Sequence, residues 1–152
     1  MKKLEISAYE LAQRFVGIKE VDGKTSNPQI LTMLRLDDQW PDDDAVPWCS
    51  AFTNYITWML RLPRSKSLRA RSWLLVGEVI DLQAAEPGFD VIILKRGSGK
   101  QPGPDVIDAP GHVAFYAGTD GTKILALGGN QGNSVSIAGY PKTRLLGVRR
   151  LA

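Results

Sequence analysis

The sequence predicts an α+β domain, with helices in its first half and an antiparallel sheet in its second. Three observations carry that prediction. Up to about residue 77, apolar side chains recur at three- and four-residue steps, the spacing of a helix face. From Pro87 onward they alternate or form short blocks between Gly, Pro and Asp, as strands between turns do. The two patterns follow one another along the chain and are not interleaved.

The elements follow in order. Ser7-Ala8-Tyr9-Glu10 is a capping-box pattern, and Ala8, Leu11, Ala12, Phe15 and Val16 make the apolar stripe of a helix that Gly17 ends. Asn27-Pro28 reads as N-cap and N1 of a second helix to about Leu36, with Ile30, Leu31 and Leu34 on its buried side. Residues 37–44 then hold five aspartates. Their spacing matches no EF-hand loop, so an exposed acidic loop is expected, with binding of calcium or a substrate amine the alternative.

From Ala51 to Leu60, the residues Phe52, Tyr55, Ile56, Met59 and Leu60 mark one face of a third helix. Arg61 to Ser67 is a basic turn around Pro63, and Arg71 to Gly77 a further short helix. Trp73 on it serves either as a wall of a substrate groove or as a core residue.

Pro87-Gly88-Phe89-Asp90 turns into the strand Val91–Leu94. Residues 97–110, rich in Gly and Pro, form a loop long enough to shape a site. Gly111–Ala117 alternates as a strand, Thr119-Asp120-Gly121 is a hairpin turn, and Lys123–Leu127 returns. Gly128 to Gly132 is expected to break that strand, and Val135–Ile137 and Leu145–Val148 complete the sheet.

Composition narrows the function classes. At 152 residues the chain is expected to be one domain, 1–152, with no second domain. One cysteine excludes an internal disulfide, and one histidine leaves no Cys/His set for structural zinc. The net charge of +3 is uneven: residues 1–48 hold six basic and nine acidic side chains, residues 49–152 thirteen and seven. A basic surface favours approach to polyanions, yet no arginine-rich run with interleaved aromatics marks a nucleic-acid binder. No apolar stretch is long enough to span a bilayer, and the basic start lacks the apolar region of a signal peptide.

The chemistry centres on Cys49, placed where the acidic loop gives way to the third helix. A helix N-terminus presents unpaired N–H groups and a positive dipole end, which favour a thiolate and make a nucleophile near neutral pH. The bland alternative is a small buried hydrophobe. His112, 63 residues later at the start of a strand, is the only imidazole available as a general base. If the hairpin turns around Asp120, His112 falls opposite Gly128, and Asn130 comes one pleat further on the same side. An amide there would fix the tautomer of the imidazole. Gln131 is the competing orienter, which simple alternation sends to the opposite face.

Four motifs together resemble the NlpC/CHAP superfamily of cysteine peptidases: Trp48-Cys49-Ser50-Ala51-Phe52, Pro87-Gly88-Phe89-Asp90-Val91-Ile92, Gly111-His112-Val113-Ala114-Phe115-Tyr116, and Gly128-Gly129-Asn130-Gln131. Within it the chain is similar to small peptidoglycan hydrolases of phage and prophage origin, the endolysins. The resemblance implies a papain-like fold, N-terminal helices packed on a C-terminal antiparallel sheet. It implies Cys49 as nucleophile, His112 as base and Asn130 as third member, with Trp48, Ser50, Trp73 and Gln131 lining the substrate site. The family's usual cysteine context begins with Asp or Asn, where this chain has Trp48.

The implied activity is cleavage of a cell-wall peptide amide, as an N-acetylmuramoyl-L-alanine amidase or a D-glutamyl endopeptidase, without a cofactor. The expected partner is bacterial peptidoglycan, reached after release or delivery from the cytoplasm. No nucleic acid, no membrane insertion and a monomeric state are expected. An antibacterial toxin with the same chemistry, a non-catalytic wall-binding module and a thiol acyltransferase are the alternatives.

Overall fold

Three short helices pack on one face of a six-stranded antiparallel sheet in the computed structural model, which describes residues 1–22, 26–37 and 47–152. The helices are α1 (Ala8–Gln13), α2 (Pro28–Leu34) and α3 (Cys49–Met59). The strands are β1 (Glu78–Ile80), β2 (Asp90–Lys95), β3 (Gly111–Asp120), β4 (Lys123–Gln131), β5 (Ser134–Pro141) and β6 (Leu145–Arg150). They lie in the order β1-β6-β2-β3-β4-β5, every neighbouring pair antiparallel. The α+β architecture is the one the sequence predicts. Of the acidic run, Asp38 to Asp44 lie outside the described residues, while Asp37 pairs with Arg64 at 2.9 Å.

Local chemistry explains each start and stop. Ser7 Oγ accepts from the Glu10 N–H, and Glu10 Oε2 accepts from the Ser7 N–H, so both halves of the capping box form on α1. Gly17 leaves the turn after α1 with φ +102°, a conformation that favours glycine. Asn27 caps α2 by accepting from the Gln29 N–H, with Pro28 at N1. Asp90 starts β2 with a buried carboxylate that accepts from Arg150 Nε and Nη2, each at 2.8 Å, which locks β2 to β6.

α3 is the central helix. Eight of its eleven residues are buried. Its polar members can be buried because their hydroxyls are satisfied locally: Thr53 Oγ1 donates to the Cys49 carbonyl and Thr57 Oγ1 to the Thr53 carbonyl. Phe52 meets Phe15 and Phe115 edge-on, with ring centroids 6.1 and 6.2 Å apart, joining α3 to the chain after α1 and to β3. Val91, Ile93, Val113, Phe115 and Leu127 form the sheet side of this core. The other sheet face buries Ile92, Leu94, Ala114, Tyr116, Ile124, Ala126 and Val148.

The hairpin differs from the expected register. Asp120 pairs with Lys123, so the turn is Gly121-Thr122, and Phe115 faces Leu127 instead of Leu125. A second difference lies at Gly128 to Gln131. The strand does not break there; it bulges, passing from Gly128↔Ser136 to Gln131↔Ser134 with one extra residue on β4. Asn130 takes up that residue in a left-handed conformation, φ +58°.

Candidate active site

Cys49 is the first residue of α3, and no side chain caps the helix at Trp48. Phe52 N–H donates to the Trp48 carbonyl, so the N–H groups ahead of it lack intrahelical acceptors and face the thiol end of the helix. The Cys49 side chain is buried and interacts with His112 and with the Val113 backbone. Burial opposes ionisation of the thiol, but the hydrogen bond and charge of His112, with Val113 and Arg96, outweigh it and lower the Cys49 pKa. Burial likewise opposes the imidazolium, while Cys49 and Gln131 together raise the His112 pKa. Both shifts run in the direction of a thiolate beside an imidazolium.

The third partner is Gln131. His112 Nε2 lies 2.9 Å from Gln131 Oε1. The amide orientation follows from its own network: Gln131 Nε2 donates to the carbonyls of Ala126 at 3.1 Å and Ser136 at 2.7 Å, so Oε1 must face the ring. His112 then carries its proton on Nε2 and turns Nδ1 to the thiol. The role expected of Asn130 thus falls to Gln131. The bulge inserts one residue into the alternation, so the side chain after Asn130 takes the face that Asn130 would have held.

Sequence reasoning missed Tyr140. Its ring lies against His112 with centroids 5.3 Å apart, and its hydroxyl donates to Gln131 Oε1 at 3.1 Å. Burial and the Cys49 charge push the Tyr140 pKa up to about 12, so the hydroxyl keeps its proton. Ser136, Ala138 and Tyr140 stand opposite Gly128, Ala126 and Ile124 in the register, and the Ser136 carbonyl and the Tyr140 hydroxyl both meet the Gln131 amide. That register was the signal, and it required β5 to run on to Pro141.

Three of the residues expected to line the substrate site are fully buried. Trp48 is fully buried, donates from Nε1 to Glu20 Oε1 at 2.7 Å, and packs on Gly129. Ser50 is fully buried too, donating to the Ser67 carbonyl at 2.6 Å and accepting from Trp73 Nε1 at 2.9 Å. Trp73 shares that burial. These residues position the groove from behind: they tie the start of α3 to the segment that forms one of its walls. Gln131, the fourth, is the partner of His112 and is buried.

The open side of Cys49 is a groove of about 360 Å³ lined by Pro47, Leu68 to Ala70, Arg96 and Asp108 to Gly111. Arg71 holds the loop that supplies the Asp108–Pro110 wall. Its buried guanidinium donates to the carbonyls of Pro102, Gly103, Val106 and Pro110 at 2.7–3.1 Å. A larger hollow, about 710 Å³, is lined by Tyr9, Glu10, Glu86 and Arg150 and includes neither Cys49 nor His112. Among the described residues, no three His, Cys, Asp or Glu side chains come together as a metal site.

Solved structures share this arrangement of helices and sheet. NlpC1 from Trichomonas vaginalis matches over 99% of this chain with a TM-score of 0.58 at 18% identity. The chain has the NlpC/P60, papain-like fold. The peptidoglycan hydrolase RipB from Mycobacterium tuberculosis matches over 94% of the chain, with a TM-score of 0.54 and 17% identity. The P60 domain of a Mycobacterium avium subspecies paratuberculosis antigen matches over 94%, at 0.53 and 15%. This NlpC/P60-fold chain spans 46% of the length of NlpC1, 64% of RipB and 93% of the P60 domain. No protein-family model and no curated protein matches the sequence.

Proposed function

We propose that this chain is a cysteine hydrolase of peptidoglycan, cutting an amide of the wall peptide through Cys49 and His112. The observation that carries the reading is the Cys49–His112–Gln131 arrangement on an uncapped helix N-terminus: a lowered thiol pKa, a raised imidazole pKa and a fixed tautomer. RipB, of the same fold, is described as a peptidoglycan hydrolase.

The chemistry follows from the residues. The Cys49 thiolate attacks the amide carbonyl, and the Cys49 N–H, at the uncapped start of α3, is the proposed donor to the oxyanion that forms. His112 gives its Nδ1 proton to the departing amine as the C–N bond breaks, leaving a thioester. The neutral imidazole then takes a proton from water, whose hydroxide releases the acyl group as a carboxylic acid and expels the Cys49 thiolate, restoring it beside protonated His112. Gln131, held by Tyr140 and two backbone carbonyls, keeps the ring in place through both steps.

The two bonds that suit this are the muramoyl–L-alanine amide and the bond following D-glutamate. Lysis of a bacterial wall, as by an endolysin, is the role attached to this reading. Mass spectrometry of fragments released from purified peptidoglycan tests it: new amine and carboxyl termini at one of these bonds are expected with the wild type and none with Cys49→Ser. Intact peptidoglycan after prolonged incubation with folded wild-type protein would end the reading.

A further inference from the structure

We infer that Tyr140 is a positioning residue that acts chiefly through its ring, which shields the His112–Gln131 hydrogen bond from water. Its hydroxyl adds a smaller share by filling the second lone pair of Gln131 Oε1. For its effect on turnover the inference rests on the proposed hydrolysis; the shielding itself rests on the geometry alone.

His112 and Gln131 come from the neighbouring strands β3 and β4, and Tyr140 reaches them from β5 at the end of the sheet. Alternation puts Ser136, Ala138 and Tyr140 on one face of β5, and the tyrosine is the large one of the three. Among the described residues, its ring is the aromatic in contact with the imidazole, with centroids 5.3 Å apart and planes tilted by 38°. Exposure falls toward the bond beneath: Tyr140 is half-buried, whereas His112 and Gln131 retain 5% and 6%. The phenol also packs against the second core, the one built on Ile92, Ala114 and Ile124, so packing holds it in place as well as its hydroxyl.

The Gln131 amide is saturated. Oε1 meets His112 Nε2 at 2.9 Å and accepts from Tyr140 Oη at 3.1 Å, while Nε2 donates to the Ala126 and Ser136 carbonyls. The two Nε2 bonds orient the amide without help from Tyr140. Removing the hydroxyl therefore leaves Gln131 in place with one lone pair empty. Removing the ring is different. It opens a space the size of a phenol beside a nearly buried N–H···O bond, and water entering there competes for both the imidazole N–H and Oε1. A cation within about 6 Å of a tyrosine ring is also attracted to its face, so the same ring favours the protonated imidazole that acts as general acid in the proposed mechanism.

The test uses the fact that His112 is the only histidine in the chain, so every imidazole resonance of protein made with isotope-labelled histidine belongs to it. An imidazole N–H open to water exchanges too fast to give a distinct signal, and one protected by structure does not. A distinct Nε2–H signal is expected in the wild type and in Tyr140→Phe, and its loss in Tyr140→Ala. On soluble wall peptides, Tyr140→Phe is expected to lower kcat about threefold and Tyr140→Ala on the order of thirtyfold, with KM changing less than about twofold in both. Equal losses in the two variants would overturn the role of the ring. So would a signal retained in folded Tyr140→Ala, a signal lost while kcat holds, or no signal in the wild type. That last outcome needs no variant, so the test stands even where Tyr140→Ala does not fold. The expected signals with no peptide cleaved by any of the three proteins would support the shield and count against the hydrolase reading alone.

Discussion

Gln131 uses both ends of its carboxamide: Oε1 meets His112 and Tyr140, and Nε2 donates to two carbonyls. Gln131→Ala is therefore expected to lower kcat on the order of tenfold to a hundredfold with little change in KM, because an orienting partner acts on the transition state. Asn130→Gly should stay near wild type, since glycine accepts the left-handed φ of +58° at that position. Single-turnover kinetics of the two variants on soluble wall peptides decides the matter; an inactive Asn130→Gly beside a normal Gln131→Ala would refute the assigned role. The titrations give a second expectation at this scale. In the proposed mechanism, activity needs the thiolate and the imidazolium together. The pH–rate profile should rise through a limb below the ordinary thiol value of 9.0 and fall through one above the ordinary imidazole value of 6.5. A profile that still climbs well above pH 9 would show that Cys49 is not ionised by His112.

The element that sets this geometry is the bulge in β4, because it turns Gln131 toward His112 and lets α3 approach. A Cβ on Gly129 would come within 2.7 Å of Trp48 Cζ3 and 2.8 Å of Phe52 Cβ, both on or beside the first turn of α3. Gly129→Ala should cost about 1–3 kcal/mol in stability by overpacking and should move Cys49 away from His112, lowering kcat as well as Tm. Thermal denaturation and kinetics on the same sample check both effects. Arg71 acts similarly on the loop from 97 to 110. A lysine at that position cannot supply a donor to all four carbonyls, so Arg71→Lys should leave that loop cut faster by a protease. Much of this was legible in the chain itself: the capping box, the Asn27-Pro28 start, the Cys49 helix and the Val91–Leu94 strand all follow from local chemistry. The bulge was not, because Gly-Gly-Asn reads equally as a break and as an extra residue, and only pairing with β5 distinguishes them. The burial of Trp48 and Trp73 was likewise set by partners distant in sequence, Glu20 and Ser50. β1 has three residues, too few for alternation to show.

At the scale of the molecule, the sheet is covered on both faces, and Cys49 and His112 meet where α3 begins against β3 and β4. Cys49 and His112 are both buried, so a charge on either is held at the expense of solvation and depends on the other. That dependence links the chemistry to stability. A raised His112 pKa contributes stability that is complete below the unfolded value of 6.5 and is lost as pH rises through the folded one. A lowered Cys49 pKa contributes stability that is complete above 9.0 and is lost as pH falls through the folded value. Both shifts come largely from the same interaction, so its effect is greatest between the folded thiol and folded imidazole values and falls away on either side. Cys49→Ala removes the thiolate and with it the main cause of the raised His112 pKa. The Tm of the wild type minus that of Cys49→Ala should therefore pass through a maximum inside this window and decline toward both acid and alkaline pH. Thermal melts of the two proteins in matched buffers across that range measure it. A difference that stays constant with pH would mean that the thiol and imidazole are neutral in the folded protein, and His112 would then have to deprotonate Cys49 during attack.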